Sequence, residues 1–593
     1  MLRLPEIPAA TRTRETLARS QVLQRTWPIV LDLCVALVLL AGFYALVLLG
    51  RYWFGHLQPE VVISQSPRAL PRYAFYSVVR IGLAYLLSLV FAIVYGYIAA
   101  NVRRLETAMI ALLDVLQSIP VLSFLPPVML AMVALFPAHQ IGVEFGAILL
   151  IFTGQVWNLA FSFYSSLKAI PRELREAADI GRFSRLQRLL QLELPFAAIG
   201  LVWNSIMSVA GGWFFLMACE MFTLGPRDFR LPGLGSYLQT AAGTANGRAI
   251  AWGLGAMVAI IVATDQLIWR PVIAWSDKFK FELVETTTRV RSPLIHFFRR
   301  SNAVRALSRH SSSSDLLDRV YRSLAHRHRE QTRQEKAERA SSPLPAVILR
   351  MLLILTVAAA ALYFGARAIL MLREVHRAEF FLLLKGAAAT FLRVNFSLIL
   401  AVLWTVPVGV AIGLHPRLAR IAQPLAQIAA SVPATALFPV LLLLLIRAGG
   451  GMGIGAVALM LLQAQWYILF NVIAGSMAIP TDLREVATLF HFSSIQRWRT
   501  VILPAIFPYL LIGLVTASGG AWNASIIAEY FEFNGRTMQT LGLGAQISAA
   551  TADGQFPILL LATILMALIV VTVNRLLWRR LFHLAETRYK LEG

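Results

Sequence analysis

Glu220 and Glu529 are carboxylates near the ends of long apolar stretches, and Arg80 and Arg393 are guanidiniums near the starts of two others. A charged group in such surroundings is costly and is a functional candidate by default. A carboxylate there can hydrogen-bond a polar solute, carry a proton or gate a path. It can equally be tied to loop backbone or to an arginine. The arginines can draw in an anion or reach out to the membrane surface. Trp213 and Trp522 share the stretches of the two carboxylates, either lining a path or packing. Every one of these residues has a double: Trp213 and Glu220 match Trp522 and Glu529 at an offset of 309, and Arg80 matches Arg393 at 313.

A polar loop is doubled in the same register. IPRELREAADIGRFSRLQRLLQLELP runs from Ile170 to Pro195, and IPTDLREVATLFHFSSIQRWRTVILP from Ile479 to Pro504, with twelve identities at offset 309. Pro171 and Pro480 suit the first turn of a helix, where a missing N–H is not needed. Glu173 and Glu176, or Asp482 and Glu485, then lie near its positive end. Ala177 and Ala178 are small enough for another backbone to approach. A short helix with one small face and flanking charges fits a docking element, and two matched copies fit a symmetric partner.

The elements that must hold these groups are apolar helices. The chain has 593 residues, 58% of them hydrophobic, with a mean hydropathy of +0.67. Its apolar residues cluster into stretches of about 20, the length that crosses a hydrocarbon core. Six spans are expected in each half: 28–50, 73–100, 108–135, 143–169, 196–222 and 248–270, then 346–371, 386–413, 420–446, 452–478, 505–530 and 556–577. The fold class is all-α and polytopic, with about 12 membrane-crossing helices in two six-helix repeats. An even number of spans per repeat makes the repeats parallel, related by an axis along the membrane normal.

Domain boundaries follow: an arm at 1–27, the first repeat at 28–275, a linker at 276–345, the second repeat at 346–580 and a tail at 581–593. The net charge of +23 concentrates in the arm, linker, short loops and tail. Basic loops mark the cytoplasmic side, which places both termini, the linker and the doubled loops there. That reading displaces nucleic-acid binding. The linker, with a net of +7, holds either an amphipathic helix at the anionic leaflet or a solvated connector.

The doubled loop resembles the signature loop of permease subunits of ATP-binding-cassette importers, with E-A-A followed by Leu-Pro nineteen residues after the Glu. SIP at 118–120, SVP at 431–433, CEM at 219–221 and AEY at 528–530, the last two each followed by GLG, narrow the resemblance. They are similar to permeases for nitrate, sulfonates, taurine and related anions. The resemblance implies a fused, type I importer permease in a bacterial inner membrane. It implies as partners an ATPase dimer, which holds the ATP and Mg, and an extracytoplasmic substrate-binding protein docking near 223–247 and 531–555. It assigns ATPase coupling to Glu176, Ala177, Ala178, Arg182 and Phe183, and to Glu485, Val486, Ala487, His491 and Phe492. Arg182 and His491 replace the family's Gly, so the turn inside the loop is expected to differ.

No G-x-x-x-x-G-K-[ST] occurs, so this chain carries no phosphate loop of its own. No catalytic triad, carboxylate pair or metal spacing is present either, and the reading is a transport subunit that is not an enzyme and holds no cofactor or metal. A different class, a proton-coupled secondary transporter, also has six plus six spans and would use Glu220 and Glu529 as proton carriers.

Overall fold

The computed structural model describes residues 62–279 and 377–588, a few single positions excepted, and part of 352–376. The spans expected at 28–50 and, for the most part, 346–371 lie outside the described residues, as do the arm and almost all of the linker. Among the described residues eight helices are long and apolar enough to cross a membrane.

In the first half, α1 spans Leu70–Asn101. Ser66 accepts from the Arg68 amide just before it, and Pro71 takes an early position where no amide is needed. The stretch 108–135, expected as one span, is two helices: α2, Arg103–Ser118, and α3, Leu125–Leu135. The break falls at Pro120, whose own ψ of 119° is not helical; helices usually end at or before the residue preceding a proline. Sixteen residues reach only about 24 Å, short of a bilayer core. α4, Ile141–Lys168, follows, then the short α5, Arg172–Ile180. α6 runs unbroken over Arg185–Glu220. A hairpin of Thr223–Leu224 on Arg227–Asp228 leads to α7, Leu234–Gly243, and α8 spans Gly247–Ser276.

The second half repeats this order. α9 is Arg377–Leu414, and the expected 420–446 span again splits, at Pro433, into α10, Pro416–Ser431, and α11, Ala434–Arg447. α12 is Met452–Met477, α13 Thr481–Leu489 and α14 Ser494–Ala528. A hairpin of Tyr530–Phe533 on Arg536–Gln539 precedes α15, Leu543–Ala552, and α16, Phe556–Leu581. The segments 223–247 and 531–555, expected as loops, are therefore largely hairpin and helix. Leu234, Tyr237, Leu238 and Ala241 of α7 are buried, so only part of each segment is open to a partner.

Both halves build a three-helix core, α1–α4–α6 and α9–α12–α14, and the broken third spans reach across. α2 meets α16, the turn at Val121–Phe124 meets α14, and α10 and α11 meet α6. One apolar cluster consequently includes Met129 and Trp213 of the first half and Phe438 and Trp522 of the second. Among the described residues four π-helical turns occupy equivalent places: Leu189–Glu193 and Trp498–Ile502 at the starts of α6 and α14, Asp265–Trp269 and Asn574–Trp578 in α8 and α16. A π turn adds a residue without ending the helix, so the chain leaving each doubled loop continues straight into a span.

Candidate functional site

The four charged residues singled out in the sequence form two closed networks, one in each half. Arg80 donates through Nε and Nη2 to the Glu144 carboxylate, both at 2.6 Å. Its Nη1 donates to Glu220 Oε1 at 2.7 Å and to the Pro232 carbonyl at 2.9 Å. Ser77 Oγ adds a bond of 2.6 Å to Glu220 Oε1, and the Gly235 amide one of 2.7 Å to Oε2. Arg80 is 1% exposed and Glu220 0%. In the second half Thr390 Oγ1 and Arg393 Nη1 each donate to Glu529 Oε1 at 2.8 Å, and the Gly544 amide donates to Oε2 at 2.9 Å.

The networks explain the G-L-G that follows each carboxylate. The third residue donates its amide to the carboxylate. The first leaves room: a side-chain carbon on Gly233 or Gly542 would collide with the Glu220 or Glu529 carboxylate. Each network thus pins the N-terminus of a buried helix, α7 or α15, onto the far end of α6 or α14. The two are unequal. Glu144 has Gly453 as its double, and Thr540 Oγ1 takes the free arm of Arg393 at 2.9 Å. Arg393 side chain is 18% exposed. Glu144, Ser77, Thr390 and Thr540 went unnoticed in the sequence. Glu144 was findable, as a lone carboxylate in an expected span. Trp213 and Trp522, 3% and 1% exposed, are packing residues of the apolar cluster.

The doubled loops lie at the opposite end. α5 and α13 present Glu176 and Glu485 outward, together with Ala177 and Val486. Ala178 and Ala487 turn inward, 4% and 0% exposed, so they brace the loop on its own chain and leave no face for another protein. Ile180 is 84% exposed, Leu489 76% and Phe490 72%, an apolar tip on each loop. Outside the spans, Lys168 and the Tyr164 hydroxyl hold the Glu106 carboxyl below the usual carboxylate range, through contacts of 2.7 and 2.8 Å. They tie the start of α2 to the end of α4 beside the first loop.

The turn expected to differ is the same in both copies. Arg182 has φ +49° and His491 +50°. The Phe183 amide donates to the Ala178 carbonyl at 3.0 Å and the Arg182 amide to Asp179 at 3.0 Å; Phe492 to Ala487 and His491 to Thr488 repeat this at 3.0 and 3.1 Å. This is a Schellman cap, which ordinarily takes Gly at the left-handed position. Gly181, one place early, has φ −68° and does not serve. Ser184 with Gln187, and Ser493 with Gln496, then open the next helix with reciprocal caps. A left-handed non-Gly residue costs roughly 1–2 kcal/mol, partly offset by the entropy that Gly loses on folding. Arg182→Gly and His491→Gly should therefore each stabilise the fold by up to about 1 kcal/mol, read as a higher unfolding temperature in detergent. A lower one would contradict the cap.

Between the halves, at the end away from the loops, lies a pocket of about 850 Å³ including the space at its mouth. Doubles line it together, Met221 with Tyr530, Phe222 with Phe531 and Gln239 with Ser548, which puts it at the pseudo-two-fold axis, although Leu122, Leu125 and Pro126 line it without their doubles. Ala218 of α6 and Ile527 of α14 also line it. Arg80, Glu220, Arg393 and Glu529 do not. The Leu122 amide reaches Asn523 Oδ1 of the other half at 3.4 Å. Of these lining residues Met221 and Tyr530 fall in the CEM and AEY motifs; the others carried no signal of a path, because apolar residues in a span look alike whether they face a path or a neighbour.

Residues 92–265 and 405–583 match the family described as binding-protein-dependent transport system inner membrane component, twice over and together across more than half of the chain. Nitrate import permease protein NrtB of Leptolyngbya laminosa is 28% identical over 189 residues, 32% of this chain and 64% of its own length. Bicarbonate transport system permease protein CmpB of Synechococcus elongatus is 30% identical over 141 residues, 24% and 49%. Taurine transport system permease protein TauC of Escherichia coli is 28% identical over 166 residues, 28% and 56%. The chain spans less than two thirds of the length of these curated relatives.

Proposed function

We propose that this chain, which belongs to the family of binding-protein-dependent transport system inner membrane components, supplies both halves of the pore of an ATP-driven importer for a small anion. The observation that carries the reading is a mechanical one. Each doubled loop continues as a single helix, α6 or α14, to the axial pocket at the other end. The 36 residues of α6 make a rod of about 54 Å.

Two ATPase subunits, carrying ATP and Mg, would grip the two loops in the cytoplasm. Their closure on ATP would draw α5 and α13 together. The rods would part at the outer end, and a loaded binding protein seated near the hairpins would release its solute into the axial pocket. Hydrolysis would reset the bundle. The relatives for nitrate, bicarbonate and taurine support a small anion as the solute, and loop charge supports an inner-membrane setting with cytoplasmic termini. In this reading Glu220 and Glu529 latch the outer ends of the rods. A proton carrier must be able to shed its partners; each of these carboxylates is held by a guanidinium, a hydroxyl and a backbone amide.

The test is reconstitution in liposomes with a partner ATPase and a partner binding protein. Uptake of nitrate, bicarbonate or taurine should require all three components and ATP. Uptake by the purified chain alone, driven by an ion gradient, would refute the importer reading and favour the secondary transporter.

A further inference from the structure

Inward of the axial pocket, the two rods lose their side chains at the same depth. Gly211 lies seven residues before Ala218 on α6, and Gly520 seven before Ile527 on α14. Seven residues are two turns, so each glycine continues the stripe that lines the pocket, about 10 Å deeper. The space is filled mainly by Tyr467 of α12, with Gln463 of the same helix beside Gly520, its Cγ 3.7 Å from where a side-chain carbon there would lie. A side-chain carbon on Gly520 would meet Tyr467 Cε2 at 3.3 Å and Cδ2 at 3.8 Å. One on Gly211, in the other half, would meet the Tyr467 hydroxyl at 3.4 Å. The ring therefore passes α14 of its own half and ends on α6 of the opposite half.

Its seat is built. A side-chain carbon on Gly513 would come within 3.0 Å of both the Tyr467 carbonyl and Ile468 Cα, so glycine there lets α12 and α14 approach and fixes where the ring starts. The ring also packs on the apolar cluster that both halves share. The double of Tyr467 is Asn158, a much smaller side chain. The obstruction is thus single, although the frame around it is duplicated.

We propose that Tyr467 is the bolt of the translocation path: one aromatic ring seated between Gly211 and Gly520 closes the axis at mid-membrane, and separation of the two rods withdraws it. The proposal rests on the importer reading. Constriction by an apolar ring stops small solutes by excluding the water they travel with. A side-chain carbon at Gly520 would crowd the ring, whereas one at Gly211 would only touch its hydroxyl.

The experiment uses the complete complex in liposomes loaded with labelled taurine or with nitrate, and follows efflux without ATP. Tyr467→Ala should leak on the order of tenfold faster than wild type, while Tyr467→Phe, which keeps the ring, should leak far less than the alanine variant. Tyr467→Asn puts in the residue that the first half already accommodates, and should leak as Tyr467→Ala does. It serves if the alanine variant does not fold. Wild-type uptake on ATP is measured in the same preparation. Failure of that uptake would count against the importer reading. Normal wild-type uptake with a folded, tight Tyr467→Ala or Tyr467→Asn would overturn the bolt alone.

Discussion

Glu176→Lys combined with Glu485→Lys should abolish ATP-driven uptake without disturbing the fold. Both carboxylates lie on exposed faces of α5 and α13, in the same register of the doubled loops, and neither is needed to hold its own loop together. The caps, the inward alanines and the reciprocal Ser–Gln bonds do that. Reversing an exposed charge at a docking surface acts on the partner, because like charges then face each other and wrong pairing is penalised. Uptake should fall by about tenfold or more, and the ATPase should no longer co-purify. The unfolding temperature in detergent should stay within a degree or two of wild type, since exposed charges contribute little to stability. Normal uptake in the double variant would remove the loops from the coupling path.

Arg80→Leu should be the most destabilising single substitution among the charged residues, and Arg393→Leu should cost visibly less. Removing Arg80 leaves Glu144 and Glu220 buried with no cation between them. Breaking a buried pair by removing one partner costs about 3–5 kcal/mol, and here two carboxylates share the loss. Arg393 faces one carboxylate, and its side chain is 18% exposed. Thr390 and Gly544 continue to donate to Glu529 after it has gone. Thermal unfolding of the two variants in detergent compares them directly. Adding Glu144→Gln to Arg80→Leu should recover part of the loss, since the second half does without that carboxylate. Equal losses for Arg80 and Arg393, or no recovery in the double variant, would mean that the two networks are not graded as their burial implies.

Much of this architecture was legible before any coordinates. Apolar runs of the right length located eight helices, and the offset of 309 located the doubled loops, because identity at polar positions between spans is rarely accidental. The third spans were misread for a physical reason. Hydropathy averages over a window and does not register that Pro120 and Pro433 interrupt a helix; the expected span began at 108 and so left out the charged start of α2, Arg103, Arg104 and Glu106. α7 and α15 fall between the expected spans, and at 10 residues each they are too short to register as spans. They are buried, and the glycines exist to let a carboxylate close on them. The inward turn of Ala178 could not be read from composition, because small residues serve both docking and close packing. Arg182 and His491 show the converse: neither residue type favours a left-handed position, and backbone hydrogen bonding places one there in both copies.

The third segments that reach across the axis have one further consequence. Each half completes its surroundings with pieces of the other, and expressing one alone should strand the faces that its sibling covers. Asn523 answers the Leu122 amide, whereas its double, Phe214, offers no acceptor to Thr435, so that handshake survives on one side only. Two copies that began interchangeable have become left and right hands, and a graft of either onto itself should no longer fit.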